Sequence, residues 1–120
     1  MRSAVREESY NSVKVFWLDT DFIISRLRLK AEQLIRDTRV RKVVLFGSLA
    51  EGRAVPGSDA DLLIVVEDDG RHMNERINEY LEFFSGIGIG IDVFPYSTRE
   101  LENPLAKQAL LKGIVLVSRE

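Results

Sequence analysis

The connection between two short apolar runs constrains the fold more than any other feature of this chain. The runs are VVLF at residues 43–46 and LLIVV at residues 62–66, and each has the pattern of a strand covered on both faces. The segment between them is too short to hold a full crossover helix, which a purely parallel sheet would need. We therefore expect a mixed sheet.

Helical and strand-like spacing elsewhere completes the predicted architecture. Apolar residues at helical spacing predict helices over residues 20–39, over residues 73–84, and from about residue 105 to Gly113. Residues 87–94 and 114–117 are expected to be strands, and residues 13–18 an edge strand or ordered arm. Capping patterns are expected at Asp19, at Ser97 with Glu100, and at Asn103 before Pro104. Strands that alternate with helices indicate an α/β (α+β) fold with helices flanking the mixed sheet.

Length and composition limit the classes of function. A chain of 120 residues is expected to form one domain, with residues 1–12 as a loosely ordered N-terminal arm. The formal net charge of −2 gives no reason to expect strong general binding to nucleic acid or to an anionic membrane. The absence of cysteine excludes disulfides, and the N-terminus lacks the apolar run of a signal peptide or membrane span. We expect a soluble cytoplasmic protein.

The residues after the first apolar run predict a phosphate site. Gly47 permits a sharp turn and lets a ligand approach the backbone, and Ser48 follows at the start of an expected short helix, where backbone N–H groups are unpaired. Backbone donors in that position bind phosphate well. Ser48 as a helix N-cap is the structural alternative.

Three aspartates form the second candidate cluster. Asp59 and Asp61 lie two residues apart at the start of a strand, so their carboxylates point to the same face and are suited to a hard cation. Asp92 is the lone charge in the third central strand, where burying it would be costly unless it is paired or metal-bound. The space left by Gly88 and Gly90 suits a ligand. Capping of the turn after Ser58 is the structural alternative for Asp59.

These residues together resemble a known family. Gly47 and Ser48, then ten residues, then Asp59-Ala60-Asp61 are similar to the signature of the minimal nucleotidyltransferases, which belong to the superfamily that includes DNA polymerase β. The resemblance covers most of the chain beyond residue 20. It implies a polymerase β-like fold, phosphate binding by the Gly47-Ser48 turn, and Mg²⁺ bound by three carboxylates, here Asp59, Asp61 and Asp92.

The remaining candidates in the loop are less determined. Ser58 and Arg53 are nucleotide-binding candidates, but many relatives carry an arginine just before the loop glycine, where this chain has Glu51 before Gly52. A phosphate contact and a solvated loop charge are therefore both open for Arg53. Asp92 is either a ligand of the metal or the acceptor of a proton from the attacking hydroxyl.

The same resemblance implies a partner. Small members of this family are similar to antitoxins that transfer AMP from ATP to a hydroxyl, typically a tyrosine, of a HEPN-domain ribonuclease toxin, with which they form a hetero-oligomer. An antitoxin that acts by binding alone, with the nucleotide site as a relic, is one alternative. Nucleotidyl transfer to a small molecule such as an aminoglycoside is another.

Other charged residues are expected to have no catalytic role. They comprise the solvated cations Arg39, Arg41 and Lys42, the solvated acidic turn at residues 67–69, and His72 at the start of a helix.

Overall fold

The computed structural model of this chain describes residues 4–10 and 13–119. The strands are β1 (Val5–Tyr10), β2 (Val13–Leu18), β3 (Val40–Phe46), β4 (Ala60–Val66), β5 (Ile91–Ser97) and β6 (Ile114–Ser118). The helices are α1 (Thr20–Leu34), α2 (Met73–Phe83) and α3 (Pro104–Lys112), and a single 3-10 turn covers Thr98–Glu100. None of the helices in the described part of the chain has the length and apolar character needed to cross a membrane.

The central sheet has four strands in the order β5-β4-β3-β6. β3 pairs antiparallel with both β4 and β6, whereas β4 and β5 are parallel. The prediction of a mixed sheet flanked by helices is therefore confirmed. The parallel neighbours β4 and β5 are connected through α2, as a crossover requires.

The two faces of the sheet are covered unequally. The larger core contains Ile23 and Leu27 of α1 and Tyr80 of α2, packed with one face of β3 and β4. The other face is covered by the short helix α3, whose Ala106 and Ala109 pack in a smaller cluster with the strand side chains Val44, Leu63 and Val65. Because α3 contributes only small side chains to this cluster, it can lie close to the sheet.

Two predicted boundaries differ from the structure because of local turns. The predicted end of the first helix near residue 39 is wrong: α1 ends at Leu34, and Val40 N donates to Asp37 O at 3.0 Å as the chain turns into β3. The predicted start of the third central strand at residue 87 is also wrong, since β5 begins at Ile91. Gly86 and Gly88 have φ values of 83° and 110°, which are incompatible with extended pairing.

Strands β1 and β2 form an antiparallel hairpin that is separate from the central sheet. Within residues 1–12, expected to be a loosely ordered arm, Val5–Tyr10 is strand β1 and pairs antiparallel with β2; residues 1–3, 11 and 12 lie outside the described residues. Arg6 Nε donates to Asp19 Oδ2 at 2.9 Å, while Asp19 Oδ1 accepts from Phe22 N at 3.2 Å and caps α1 as predicted. One carboxylate thus joins the hairpin to the first helix.

The predicted capping patterns near the C-terminal helix are confirmed. Ser97 and Glu100 form a capping box around the 3-10 turn, and Asn103 Oδ1 accepts from Leu105 N at 2.9 Å at the start of α3. Glu100 Oε1 also accepts from Arg76 Nη1 at 2.9 Å, and the same nitrogen donates to Pro95 O at 2.8 Å. The buried Arg76 therefore joins α2 to β5 and to the turn that follows it.

We expect Glu100→Gln to lower the free energy of unfolding at pH 7 by about 0.5 to 1 kcal/mol, as for a partly exposed ion pair. The hydrogen bond from Ser97 N, together with Arg76, lowers the pKa of Glu100 from its ordinary 4.5, so the stabilisation is present above that value. It disappears as the pH falls through the lowered pKa. Urea unfolding of the wild-type protein and of Glu100→Gln should therefore give different free energies of unfolding at pH 7 and nearly equal ones at about pH 3. An equal difference at both pH values would contradict this.

Candidate active site

Gly47 shapes the turn that follows β3. Its φ is 79°, a left-handed conformation that favours glycine. A Cβ atom at this position would lie 2.3 Å from Oδ2 of Asp61, far closer than real contacts allow. Glycine is therefore required here for two reasons, the backbone conformation and the room that it leaves for the carboxylate of Asp61.

The rest of the turn is fixed by one buried side chain and two backbone hydrogen bonds. Leu49 is only 2% exposed and belongs to the larger core. Glu51 N donates to Gly47 O at 3.1 Å, and Arg53 N donates to Ser48 O at 2.9 Å. The predicted short helix is wrong, because these bonds close a single turn that ends at Gly52, where φ is 75°. The anchoring role of Leu49 was missed, although an apolar residue in a polar segment is a usable signal.

The pairing of β4 with its neighbours brings two of the predicted aspartates side by side. Asp61 of β4 is in register with Asp92 of β5, and on its other side with Phe46 of β3. Directly paired residues lie on the same sheet face, so the two carboxylates share a face. Asp61 is half-buried and Asp92 is exposed. Asp59 precedes β4 by one residue and is exposed.

Burial and like charge together affect the ionisation of Asp61. Burial is the largest cause that raises the pKa of its carboxyl group above the ordinary 3.8, followed by the negative charges of Asp92 and then Asp59. The carboxylates of Asp92 and Asp59 are therefore close enough to Asp61 to disfavour its negative charge. A cation placed among them would relieve this repulsion.

Aspartate side chains are suitable ligands for magnesium, but the three carboxylates are not arranged around a common centre in this structure. The carboxylate of Asp61 lies against Gly47 beyond β3, whereas that of Asp59 lies against Gly90 before β5. Across residues 4–10 and 13–119, no three His, Cys, Asp or Glu side chains are grouped closely enough to hold a metal ion as they stand. Three carboxylates on one face of adjacent strands nevertheless provide the hard oxygen ligands that Mg²⁺ prefers.

The two other predicted loop residues have structural contacts. Ser58 Oγ accepts from Val55 N at 3.0 Å, and Ser58 N donates to Val55 O at 2.9 Å, so this serine closes the turn before β4. Arg53 is 64% exposed and pairs with Glu51 at 3.4 Å. Neither observation decides whether these residues touch a nucleotide, and both stay predictions.

Arg39 and the acidic turn differ from the expectation of simple solvation. Arg39 forms ion pairs with Asp37 and Glu79, and Asp69 pairs with Arg71. This network lies where α1 leads into β3 and β4 ends, at the opposite end of the sheet from Asp61. His72 is the N-cap residue of α2, as its predicted position at a helix start requires.

The carboxylate face of the sheet is open to solvent, since Asp59 and Asp92 are exposed. A cavity of about 420 Å³ is lined by residues such as Leu34, Arg39 and Tyr80, which belong to the other end of the sheet. None of the predicted site residues lines it. The exposure of Asp59 and Asp92 instead leaves the carboxylates accessible to a large partner.

We expect Asp61→Asn to raise the melting temperature at neutral pH when divalent cations are absent. The raised pKa of Asp61 means that its ionised form is less favourable in the folded than in the unfolded protein, so removing the charge stabilises the fold. This advantage should vanish as the pH falls through the raised pKa towards 3.8. The surface variant Asp68→Asn is the control.

Magnesium should stabilise the wild-type protein more than it stabilises Asp61→Asn. At about 100 times its Kd, Mg²⁺ should stabilise the wild-type protein by about 2.7 kcal/mol, and it should stabilise Asp61→Asn much less. Thermal melting with and without Mg²⁺ measures both effects. An Asp61→Asn protein that is destabilised without metal, or stabilised by Mg²⁺ as strongly as wild type, would contradict the assignment of Asp61.

Known proteins are similar to this chain in sequence and in fold. The family model described as polymerase beta, nucleotidyltransferase matches residues 30–120. A Methanocaldococcus jannaschii protein named "Putative protein adenylyltransferase MJ1379" is 23% identical over 95 residues, which are 78% of this chain and 94% of that protein.

Three solved structures are similar. A "putative nucleotidyltransferase" from Sulfolobus solfataricus is 18% identical over 83% of this chain and 84% of its own, with a TM-score of 0.65. A "toxin-antitoxin with AMP-PNP" is 23% identical over 78% of this chain and 74% of its own, with a TM-score of 0.54. A "putative minimal nucleotidyltransferase" is 30% identical over 81% of this chain and 95% of its own, with a TM-score of 0.59.

The family match covers the segment that contains the Gly47 turn and all three aspartates. The fold agrees as well, since its similarity to nucleotidyltransferase structures extends over about four fifths of the chain. The chain belongs to the polymerase β nucleotidyltransferase family and, within it, is a minimal nucleotidyltransferase.

Proposed function

We propose that this nucleotidyltransferase transfers AMP from ATP to a tyrosine hydroxyl of a partner HEPN-domain toxin and so acts as its antitoxin. The observation that carries the proposal is the pairing of Asp61 with Asp92 on one open sheet face, beside the Gly47 turn. The relative named as a protein adenylyltransferase and the toxin-antitoxin structure with AMP-PNP support a nucleotide substrate and a protein acceptor.

The residues of the site fit the steps of such a transfer. Backbone N–H groups of the Gly47-Ser48 turn bind the phosphates of ATP, and the hydroxyl of Ser48 adds a further donor. Asp59, Asp61 and Asp92 are the proposed ligands of Mg²⁺, which supplies charge neutralisation at the phosphates and departing pyrophosphate. Ser58 and Arg53 flank the turn as candidate nucleotide contacts.

The chemistry is a displacement at the α-phosphorus. A bond forms between the acceptor oxygen and the α-phosphorus, the bond to the bridging oxygen of the β-phosphate breaks, and pyrophosphate leaves with the electron pair. Asp92 faces solvent at the edge strand β5 and is the carboxylate placed to accept the hydroxyl proton. Asp61 and Asp59 remain on the nucleotide side.

The open surface favours a protein as the acceptor. A small-molecule acceptor requires a concave site of several hundred Å³, and the 420 Å³ cavity is at the wrong end of the sheet. A protein partner brings its own surface and can complete the site. In this proposal the antitoxin works as a hetero-oligomer with the toxin in the cytoplasm, with no role for a membrane or for general nucleic-acid binding.

One observation favours a second candidate, an antitoxin that acts by binding alone. The side chains of the described residues do not form a ready three-ligand metal cluster. A relic of a nucleotide site would lack such a cluster. A working site would lack it too, if its carboxylates come together only when ATP and Mg²⁺ bind. Labelling the partner with radioactive ATP and Mg²⁺ separates the two, because a pure binder leaves the partner unlabelled.

We expect Asp92→Asn to slow single-turnover transfer of labelled AMP to the HEPN-domain partner by at least a hundredfold at saturating ATP. General-base assistance is worth about a hundredfold to ten-thousandfold, and loss of a metal ligand adds to the effect. ATP binding should be retained. Asp68→Asn serves as the matched aspartate control, and a destabilised Asp92→Asn protein with full transfer per folded molecule would refute the assignment.

Ser48→Ala should weaken ATP binding about fivefold, equivalent to about 1 kcal/mol for one hydrogen bond, because the backbone donors of the turn remain. Titration calorimetry with ATP and Mg²⁺ measures this affinity. Partner binding, followed separately without nucleotide, should be unchanged. The opposite pattern, with partner binding weakened and ATP binding intact, would place Ser48 in the partner interface.

A further inference from the structure

Gly90 occupies a position that the backbone alone does not require to be glycine. It is not among the residues with left-handed φ, so its conformation is open to other amino acids. A Cβ atom built there would nevertheless lie 2.2 Å from Oδ1 of Asp59 and 3.0 Å from its carboxyl carbon. The space expected to receive a ligand is filled by the chain's own carboxylate.

The sheet register explains why these two residues meet. Ala60 N donates to Gly90 O at 2.9 Å, and Ala60 is in register with Ile91. Asp59 and Gly90 are therefore neighbours across the start of the β4-β5 pair, one step before Ala60 and Ile91. Asp61 and Asp92 are likewise neighbours, one residue after Ala60 and Ile91.

Side chains alternate between faces along an extended chain, so residue 90, just before β5, lies on the face of Asp92, and residue 59, just before β4, lies on the face of Asp61. The missing side chain at residue 90 thus leaves a gap on the face that carries Asp61 and Asp92. The carboxylate of Asp59 lies in that gap. Any side chain at residue 90 would displace it from the row of carboxylates.

We propose that Gly90 is a positioning residue for Asp59. Because Gly90 has no side chain, it leaves room for the Asp59 carboxylate on the metal-binding face. This inference rests on the proposed metal-dependent function. Gly90 itself touches neither metal nor nucleotide. Gly47 leaves comparable room for Asp61, but its left-handed backbone would confound any substitution, whereas Gly90 can be tested with a single methyl group.

The first experiment measures the affinity of Gly90→Ala for Mn²⁺ by electron paramagnetic resonance, without ATP or partner. We expect at least tenfold weaker Mn²⁺ binding than in the wild-type protein. Gly70→Ala is the control, since Gly70 has a φ of 80° and a methyl group at that position would meet nothing within 4 Å. Its backbone strain should lower the melting temperature without changing the Mn²⁺ affinity.

The second experiment asks whether the effect passes through Asp59. In wild-type background Gly90→Ala should lower the melting temperature without metal, because the methyl group and the carboxylate compete for space. In the Asp59→Ala background the same substitution should leave the melting temperature unchanged or raise it, since alanine restricts the unfolded chain. If Gly90→Ala alone is insoluble, recovery of a folded Gly90→Ala/Asp59→Ala protein supports the inference.

Two results would overturn the inference while leaving the proposed function intact. One is Mn²⁺ binding by Gly90→Ala that equals that of a metal-binding wild-type protein. The other is an equal loss of melting temperature in the wild-type and Asp59→Ala backgrounds, which would show that the methyl group meets something other than Asp59. A wild-type protein that binds no Mn²⁺ and does not label its partner would instead refute the proposed function itself.

Discussion

The register between β4 and β5 is the constraint on which the site depends. Parallel pairing places Asp61 beside Asp92, and the hydrogen bond from Ala60 to Gly90 fixes the same register at the strand start. A slip of one residue would turn every side chain of one strand to the other face. The apolar residues of β4 are buried on both faces, so they resist such a slip less than an alternating strand would.

The negative charges of the candidate site lower the stability of the fold that carries them. Like charges meet at Asp61, and burial adds to the unfavourable energy of its ionised form. The core on both faces of the sheet offsets this, since the apolar side chains of β3 and β4 are buried under α1 and α2 on one face and under α3 on the other. Local strain at a functional site is sustained only where its surroundings determine the structure strongly.

Much of the architecture could be predicted because it depends on local patterns. The continuous apolar runs identified β3 and β4, and the capping residues at Asn103 and Ser97 identified the ends of elements. The errors occurred where tertiary contacts decide. The early part of the expected third strand is instead a turn with left-handed glycines, and β1 depends on pairing with β2 rather than on its own polar sequence. For the candidate site, the sequence predicted the aspartates and the sheet face that they share. The positions of the carboxylates against Gly47 and Gly90 depend on contacts that only the folded chain makes.

The position of β6 has a consequence for biosynthesis. This strand follows α3 near the end of the chain, yet it pairs with β3, whose other neighbour is β4. During translation β3 emerges much earlier and presents an edge of unpaired backbone N–H and C=O groups until β6 is available to pair with it. Exposed edges of this kind promote wrong pairing between chains. A chain in which β6 has not yet paired with β3 is therefore more exposed to wrong pairing than the completed sheet.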